Sequence, residues 1–414
     1  MAEAADCSIL FISQYFPPET GAAPTRVSEL TSRWSERGHD VTVLTSAPDY
    51  PEGEIYDGYS NKWMYSEDRD NVRVISVKTI PASNQRFGRR ALKFIWFMFA
   101  AVVAGLWIKR HDIVVSTSPQ PLTGPAGWLV ARVKRSKFVF EVRDLWPESI
   151  TSLSDLNEVI LRPLGWAIEF TYRHADRVVV VSEGFQEEIE AVGVDNEDVL
   201  VHHNGVDPEY FDVDESDWSL DSDIVEELQR NFVVSYVGTL GKAHGLSVVL
   251  DAAEELDDVL FLLVGTGAEA DALKAEAERR SLDSVQFAGR HPKKHVPELL
   301  ALSDAALVHL KDKELFRTAI PSKMFEAMAA ELPILLGVEG TAARILENGD
   351  AGITFQPEDG DELAAAIRNL RDDSFFREEL GKNGRQLARE SFSWNQIALA
   401  YSRDLRAVVE NKSN

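Results

Sequence analysis

Cysteine is nearly absent from this chain of 414 residues: Cys7 stands alone. A single thiol excludes an internal disulfide and any metal cage built from thiolates. It also suits a reducing compartment. Basic residues are scarce too. Against 68 Asp and Glu stand 43 Lys and Arg, a formal net charge of −25. That balance raises solubility and works against nucleic-acid binding. The opening MAEAADCSILFIS has no basic region ahead of its short apolar run, so it reads as a first strand and not a secretory leader.

What is present is a globular composition. Apolar residues make up 44% and aromatics 9%, enough to exclude a disordered chain. The length suits two or three domains, each able to bury a core. The acid is spread along the chain and densest in DVDESDWSLDSDIVEE, residues 212–227. A solvated surface adapted to high salt, where screening blunts repulsion between acids, accounts for it. One segment reverses the sign. From Lys78 to Lys137 there are eleven Lys and Arg and one acid, Asp112, so the remainder of the chain carries −35.

Short β-rich runs alternate with helical patterns. SILFIS, DVTVLT, VRVISV, DIVVST, KFVFEV and RVVVVS lie in the first half. NFVVSYVG, VLFLLVG, SVQFAG, AALVHL, LPILLG and AGITF lie in the second. They are almost continuously apolar, as parallel strands covered on both faces must be. The pattern predicts an α/β protein of two Rossmann-like domains. The expected divisions are an N-terminal domain over 1–205, an acidic link over 206–230, a C-terminal domain over 231–390, and a last helix over 391–414 that packs back on the first domain. Ligands of such sheets bind outside the carboxyl ends of the strands.

Seven motifs occur in order: FISQYFPPETGAAPTR, EVRDLWPES, VVVVSEGFQEEI, HHNGVD, YVGTLGKAHGL, FLLVGTGAE and PSKMFEAMAAELPIL. Together the chain resembles the family-four glycosyltransferases, from about residue 8 to residue 405. Within them it is similar to the WbuB-like, colanic-acid-type branch that builds cell-surface glycans. The resemblance implies a GT-B fold, with two Rossmann-like domains facing an interdomain cleft. It implies a nucleotide-sugar donor, UDP- or GDP-linked, no obligatory metal or other cofactor, and retention of anomeric configuration.

On the donor side, Pro321, Ser322 and Lys323 open a helix whose free N–H groups and dipole suit a diphosphate. Lys323 adds a point charge. Glu326 corresponds to the family Glu that accepts the ribose hydroxyls. The plainer alternative is a surface helix with a solvated i,i+3 Lys–Glu pair. Many relatives carry another Glu eight residues before Glu326, where this chain has Thr318, so Thr318 or Arg317 is expected to take part in sugar recognition. Relatives also place an Arg and a Lys where Thr239 and His244 stand here, leaving Lys242 between them as a substitute cation. Gly265 and Gly267 in VGTGAEADAL form a strand-to-helix turn that a ligand can approach, although a dinucleotide fingerprint would need a third Gly.

On the acceptor side, Gly21 with Ala22 and Ala23 leaves room after the first strand, and Arg26 begins the next helix; a plain βα loop is the alternative. Arg143 and Asp144 follow another strand end. Asp144 is the candidate for orienting the acceptor hydroxyl, against the alternative of a helix cap or structural salt bridge. With Lys323 it makes up the candidate catalytic pair. Transfer passes through an oxocarbenium-like state, so groups that bind the departing diphosphate more tightly than the ground state lower the barrier. Asp212/Asp214 and Asp221/Asp223 mimic a DxD metal motif but read as surface acids, and His202 and His203 read as packing residues.

The segment ALKFIWFMFAAVVAGLWI, residues 91–108, holds one charge and is flanked by Arg86, Arg89, Arg90, Lys109 and Arg110. At ~1.5 Å per residue it falls just short of a ~30 Å bilayer core. A single crossing would separate VRVISV from DIVVST, which belong in one sheet. An interfacial helix over about 86–110, on the cytoplasmic face of an anionic membrane, fits best; a buried helix is the alternative. This matches an acceptor on a polyprenyl or dolichyl carrier. The function expected is glycosyl transfer to a lipid-linked or cell-surface glycan. The rivals are a nucleotide-sugar epimerase of the same fold and a non-catalytic partner subunit.

The charge yields a first prediction. If the acidic surface is an adaptation to salt, the thermal midpoint rises from dilute buffer to molar KCl. A midpoint that does not move would remove the high-salt reading.

Overall fold

The computed structural model describes residues 7–82, 87–146, 158–214, 216 and 218–410. Arg86, Pro147–Ser149, Glu215 and Asp217, all part of the patterns above, lie outside them. The chain divides into two compact units, one running to Asn204 and resuming at Trp394, the other spanning Gly205–Ser393.

The first unit holds strands β1 (Ser8–Ile12), β2 (Asp40–Ser46), β3 (Met64–Arg69), β4 (Val72–Val77), β5 (Ile113–Thr117), β6 (Lys137–Val142), β7 (Arg177–Val180) and β8 (Val199–Val201). Its helices are α1 (Ala22–Glu36), α2 (Phe87–Trp107), α3 (Thr123–Lys134), α4 (Glu158–His174) and α5 (Glu183–Ala191). The sheet order is β3-β4-β2-β1-β5-β6-β7-β8, parallel except for the β3–β4 hairpin. Phe11 of β1 lies opposite Val43 on one side and Val115 on the other, and all three are buried. The order reverses at β1, between β2 and β5, and that reversal makes a ligand crevice at the carboxyl ends.

In the second unit, β9 (Phe232–Val237), β10 (Val259–Val264), β11 (Val285–Gly289), β12 (Ala305–His309), β13 (Ile334–Gly337) and β14 (Gly352–Thr354) make a fully parallel sheet of order β11-β10-β9-β12-β13-β14. Its helices are α6 (Ser222–Gln229), α7 (Ser247–Ala253), α8 (Ala270–Arg280), α9 (Val296–Ala301), α10 (Glu314–Arg317), α11 (Ser322–Ala329), α12 (Thr341–Asn348), α13 (Gly360–Asp372) and α14 (Ser374–Ser391). Here the reversal lies between β9 and β12.

The acidic stretch expected as a bare link carries structure. Asp221 caps α6 by accepting the Asp223 N–H, and Leu228 is buried. The N–H groups of Ser219 and Leu220 donate to Glu298 on α9 at 2.9 and 3.0 Å. Asp212 pairs with Arg385. The charges face outward and the few apolar residues dock inward, so the composition masked a helix of the second unit.

The last helix, α15 (Trp394–Glu410), belongs to the first unit. Trp34 of α1 donates its indole N–H to Ala398 O at 3.0 Å and meets the Tyr401 ring edge-on. His202 stacks on Tyr401 and lies 2.9 Å from the Asp404 carboxylate, a packing role.

Helix α2 is long and apolar enough by composition to cross a bilayer. It is nonetheless the crossover between β4 and β5 of one sheet. Its apolar circumference is divided. Phe97, Ala100, Ala101 and Ala104 are buried, whereas Leu92, Ile95, Phe99 and Trp107 are exposed. Lys93, one of the eleven cations between Lys78 and Lys137, is buried and lies 2.5 Å from the equally buried Asp49. A charge taken out of water needs such a partner.

Candidate functional site

Each unit gathers its candidate residues at the carboxyl ends of its strands. In the second unit the key is close backbone approach. Gly238, directly after β9, has φ 152°, and a Cβ there would overlap the Lys323 side chain. Gly265, after β10, has φ 140°, and its Cβ would overlap the Gly238 carbonyl. A Cβ on Gly267 would strike the backbone of Leu240. Gly265 and Gly267, expected to admit a ligand, instead admit the neighbouring β9–α7 loop. Leu240 N–H donates to Thr266 O and Glu269 N–H to Leu240 O, both at 3.0 Å. The two loops form one rigid shelf.

Lys323 lies over that shelf with its ammonium 4.8 Å from the centre of the Tyr236 ring, a cation–π contact. It stands at the second position of α11, where N–H groups have no intrahelical partner. Burial pulls its pKa down to about 8, against the opposing pull of Glu326. Burial likewise raises Glu326, with Lys323 and Lys293 opposing. Among the described residues neither side chain has a hydrogen bond or close ion pair. They border a crevice of about 10 Å³ beside Val237 and Val308, room for a single water. A half-buried ammonium and a half-buried carboxylate one turn apart are poised for polar ligand atoms.

The other donor-side candidates divide. Ser322 opens α11 and is exposed, and Lys242 is exposed without an ion pair among the described residues. Arg317 is committed elsewhere: its guanidinium lies 3.1 Å from Asp312 and 2.8 Å from Glu339. Thr318 donates its hydroxyl to Leu315 O at 2.8 Å, closing the turn of α10. His244 does not replace a cation. Burial, and then Lys323, depress its pKa to about 4, so it is neutral near pH 7. Its carbonyl accepts from His309 Nδ1 at 2.6 Å, while His309 Nε2 accepts the Glu358 N–H at 2.9 Å.

In the first unit, Gly21 precedes α1 with φ 122° and has open space, with nothing within 4 Å, where a Cβ would stand. It lines a cavity of about 250 Å³ with Tyr15, Tyr50, Arg90, Phe94 and Trp146. These walls come from the loops after β1, β2 and β6 and from α2. Glu19 ties two of them together by accepting the N–H groups of Phe16, Asp49 and Tyr50 at 2.9–3.3 Å. Burial raises Glu19 to about 7, opposed by those bonds and by Lys93. Three N–H donors and a nearby ammonium favour the ionised form.

Arg26 does not reach this cavity. It is fully buried, with Nε and Nη2 on Glu141 at 3.0 and 2.9 Å, and it donates to the carbonyls of His202 and His203. It ties α1 to β6 and to the segment after β8. Spacing located Arg26 at a helix start but not on its inward side. Glu141 also accepts from Thr117; burial alone would raise its pKa, but Arg26 and Arg143 hold it low. Among the described residues the buried Nε and Nη1 atoms of Arg143 have no hydrogen-bond partner, and burial lowers its pKa to about 10. Asp144 is raised to about 6 by burial, with Arg143 opposing. The backbone N–H groups of both donate to Ser118 Oγ at 2.7 and 3.2 Å, fixing the turn. Tyr236 and Gly238 lie in the motif YVGTLGKAHGL but are not among its site candidates, and Arg90 entered only as a flank of the apolar segment. Of these only Gly238, a glycine directly after a strand, carried a signal of a role at the site.

Comparison with known proteins bears on both halves. Residues 21–205 match the family model described as "Glycosyl transferase 4-like domain", and residues 221–387 match "Glycosyl transferases group 1". The chain is 23% identical over 378 residues to the putative colanic acid biosynthesis glycosyl transferase WcaI of Escherichia coli (strain K12), covering 87% of this chain and 91% of that one. It is 27% identical to the probable glycosyltransferase WbjE of Pseudomonas aeruginosa, covering 70% and 74%. Among solved structures, sucrose-phosphate synthase from Thermosynechococcus elongatus superposes with a TM-score of 0.78 at 19% identity, covering 98% of this chain and 99% of that one. HepE from Anabaena, in complex with UDP and glucose, gives 0.71 at 20%, covering 96% and 99%. These structures share the GT-B fold with this chain.

The buried pair yields a prediction. Arg26→Ala leaves Glu141 buried without its partner and should cost about 3–5 kcal/mol in urea unfolding. A cost below about 1 kcal/mol would contradict the anchoring role.

Proposed function

Because the chain belongs to the group 1 glycosyltransferases, we propose that it transfers a sugar from a nucleoside diphosphate to a lipid-linked or cell-surface glycan acceptor, with retention of configuration. The branch proposed is the colanic-acid type, which the similarity to WcaI supports. The observation that carries the reading is the start of α11: Lys323 on its glycine shelf, with Glu326 one turn on. The α11 N–H groups and Lys323 receive the diphosphate, and Glu326 accepts the ribose hydroxyls. As the glycosidic bond breaks, charge grows on the departing diphosphate. A fixed ammonium and N–H dipoles then bind it more tightly than the ground state.

Asp144 orients the acceptor hydroxyl, and the diphosphate takes its proton. No metal is required in this scheme; Asp212 is held by Arg385, and Asp221 caps a helix. HepE has been crystallised with UDP and with UDP-glucose, so uridine donors come first and guanosine donors second. Arg317 is spent on Asp312 and Glu339, which leaves the exposed Lys242, of the two, as the cation for the phosphates. The protein works on the cytoplasmic face of the membrane, held there by α2.

Calorimetric titration with UDP and GDP tests the donor half. Lys323→Gln should weaken the preferred nucleotide about tenfold to hundredfold, the range of a charged hydrogen bond. Wild-type affinity should also fall as pH rises past about 8, where the free enzyme's Lys323 loses its proton. Unchanged affinity in the variant would overturn the donor site.

A pH profile tests the acceptor half. With Asp144 at about 6, kcat/KM should rise as pH climbs through that value, because the ionised form accepts the hydroxyl. Asp144→Asn should abolish that limb and slow turnover by about 10²-fold or more. A variant with normal turnover would remove Asp144 from the chemistry.

A further inference from the structure

We propose that the whole outer face made by α2, α3 and α4, and not α2 alone, is a docking surface for a bilayer containing anionic lipid. The inference extends the membrane placement proposed above and does not require the chain to transfer sugar.

Topology puts the three helices side by side. The crossovers β4→β5, β5→β6, β6→β7 and β7→β8 all step in the same direction along the sheet, so right-handed connections place α2, α3, α4 and then α5 on one face. The packing agrees. A Cβ on Gly105 of α2 would lie 2.8 Å from Val130 of α3, and one on Gly124 of α3 would lie 2.7 Å from Thr171 of α4. Trp128 of α3 meets Phe170 of α4 edge-on at 4.9 Å. Helices α1 and α15 occupy the other face.

Each of the three helices buries one side on the sheet, and its outer side should then be polar. It is not. Trp107 on α2 is 81% exposed, Val133 on α3 58% and Trp166 on α4 70%, joined by Ile95 and Phe99. Helix α14 of the second unit shows the ordinary pattern, with Glu378, Glu379 and Lys382 outside and Phe375 as an isolated exposed aromatic. A continuous apolar face of this kind marks an interaction site.

Charge names the occupant. Arg89, Lys109, Arg110, Arg132, Arg135 and Arg162 are exposed around the apolar side chains. Among the described side chains of the three helices the one acid is Glu169, 3.5 Å from Arg173; Lys109 is paired with Asp40 at 2.5 Å, and the exposed Glu183, Glu187 and Glu188 of α5 mark where the basic face ends. The protein as a whole is at −25 and would be repelled by an anionic surface. At ~0.1 M salt the screening length is about 10 Å, so a bilayer on α2, α3 and α4 senses their arginines more than the acids beyond the α5 edge. A second copy is disfavoured by the same charges, because a two-fold contact through this face would set arginines against arginines. Interfacial Trp and basic rims are what a lipid surface accepts. The cavity beside Gly21 shares Arg90 and Phe94 with α2, so docking places its lining next to the lipid headgroups.

Co-sedimentation of the full chain with vesicles of phosphatidylglycerol and phosphatidylcholine, at ~0.1 M salt, tests this. Val133→Ser/Trp166→Ser lies wholly outside α2 and should lower the partition coefficient at least tenfold, with an unchanged thermal midpoint because both residues are exposed. Phe375→Ser should bind as wild type, and vesicles of phosphatidylcholine alone should bind several-fold more weakly. Wild-type binding by the double variant, or equal loss in Phe375→Ser, would overturn the proposal. So would a wild-type dimer, seen by sedimentation velocity, that the double variant dissociates while still binding vesicles. The readout uses no nucleotide sugar, so failure of the transferase reading would leave this result interpretable.

Discussion

The donor-side arrangement depends on missing side-chain volume at three glycines in contact. Gly265 lets the Gly238 carbonyl approach, Gly267 does the same for the backbone of Leu240, and Gly238 leaves the space in which Lys323 lies. Gly238 and Gly265 also hold φ values that other residues rarely adopt. The consequence is electrostatic. A lysine held flat on a backbone shelf, over the face of Tyr236, is partly desolvated before any ligand arrives. Its attraction for an anion is correspondingly stronger than that of an exposed lysine. In the proposed transfer, a positioned charge of this kind needs no reorganisation when a diphosphate departs.

The first unit uses charge differently. Arg26 and Glu141 are both fully buried, and their pairing, completed by Thr117 and two backbone carbonyls, fixes helix α1 against β6 and the chain after β8. The pair positions the Arg143–Asp144 turn from beneath. Glu141 lies two residues before Arg143 on the same strand end, so its charge reaches the buried guanidinium, whose Nε and Nη1 have no hydrogen-bond partner among the described residues. Around the cavity a second buried node, Glu19 with Asp49 and Lys93, joins the loops after β1 and β2 to helix α2. Both nodes put ionic groups under the site and leave aromatic faces to line it.

Strands and their order of appearance were legible because parallel strands buried on both faces are apolar throughout. The two strands that escaped are instructive. Edge strand β3, MYSEDR, has no buried residue, and β8 is three residues long. Helix α6 was hidden by its acids. At the site, residue types and loop positions were legible for Gly21, Asp144, Lys323 and Glu326. Orientation was not: a sequence places Arg26 one turn into a helix but does not say which way it points, and it cannot reveal that Asp312 and Glu339 claim Arg317. Nor does a glycine pattern say whether the space it leaves takes a ligand or a neighbouring loop.

Helix α2 shows why composition alone misleads in both directions. Taken as a string it is apolar on every side, which suggests either a bilayer or a deep core. In the fold it is half of each. Alanines and Phe97 face the sheet, and small residues such as Gly105 let α3 come close. The larger residues, Ile95, Phe99 and Trp107, point outward and keep half or more of their surface in water. Exposed apolar area of that size is a standing cost in water. Its continuation onto α3 and α4, rimmed by arginine in an otherwise acidic protein, means the cost is not an accident of one crossover helix. A chain that keeps its lysines and arginines few, yet concentrates eleven of them between Lys78 and Lys137, exposes Arg89, Arg110, Arg132 and Arg135 where an apolar face meets its surroundings.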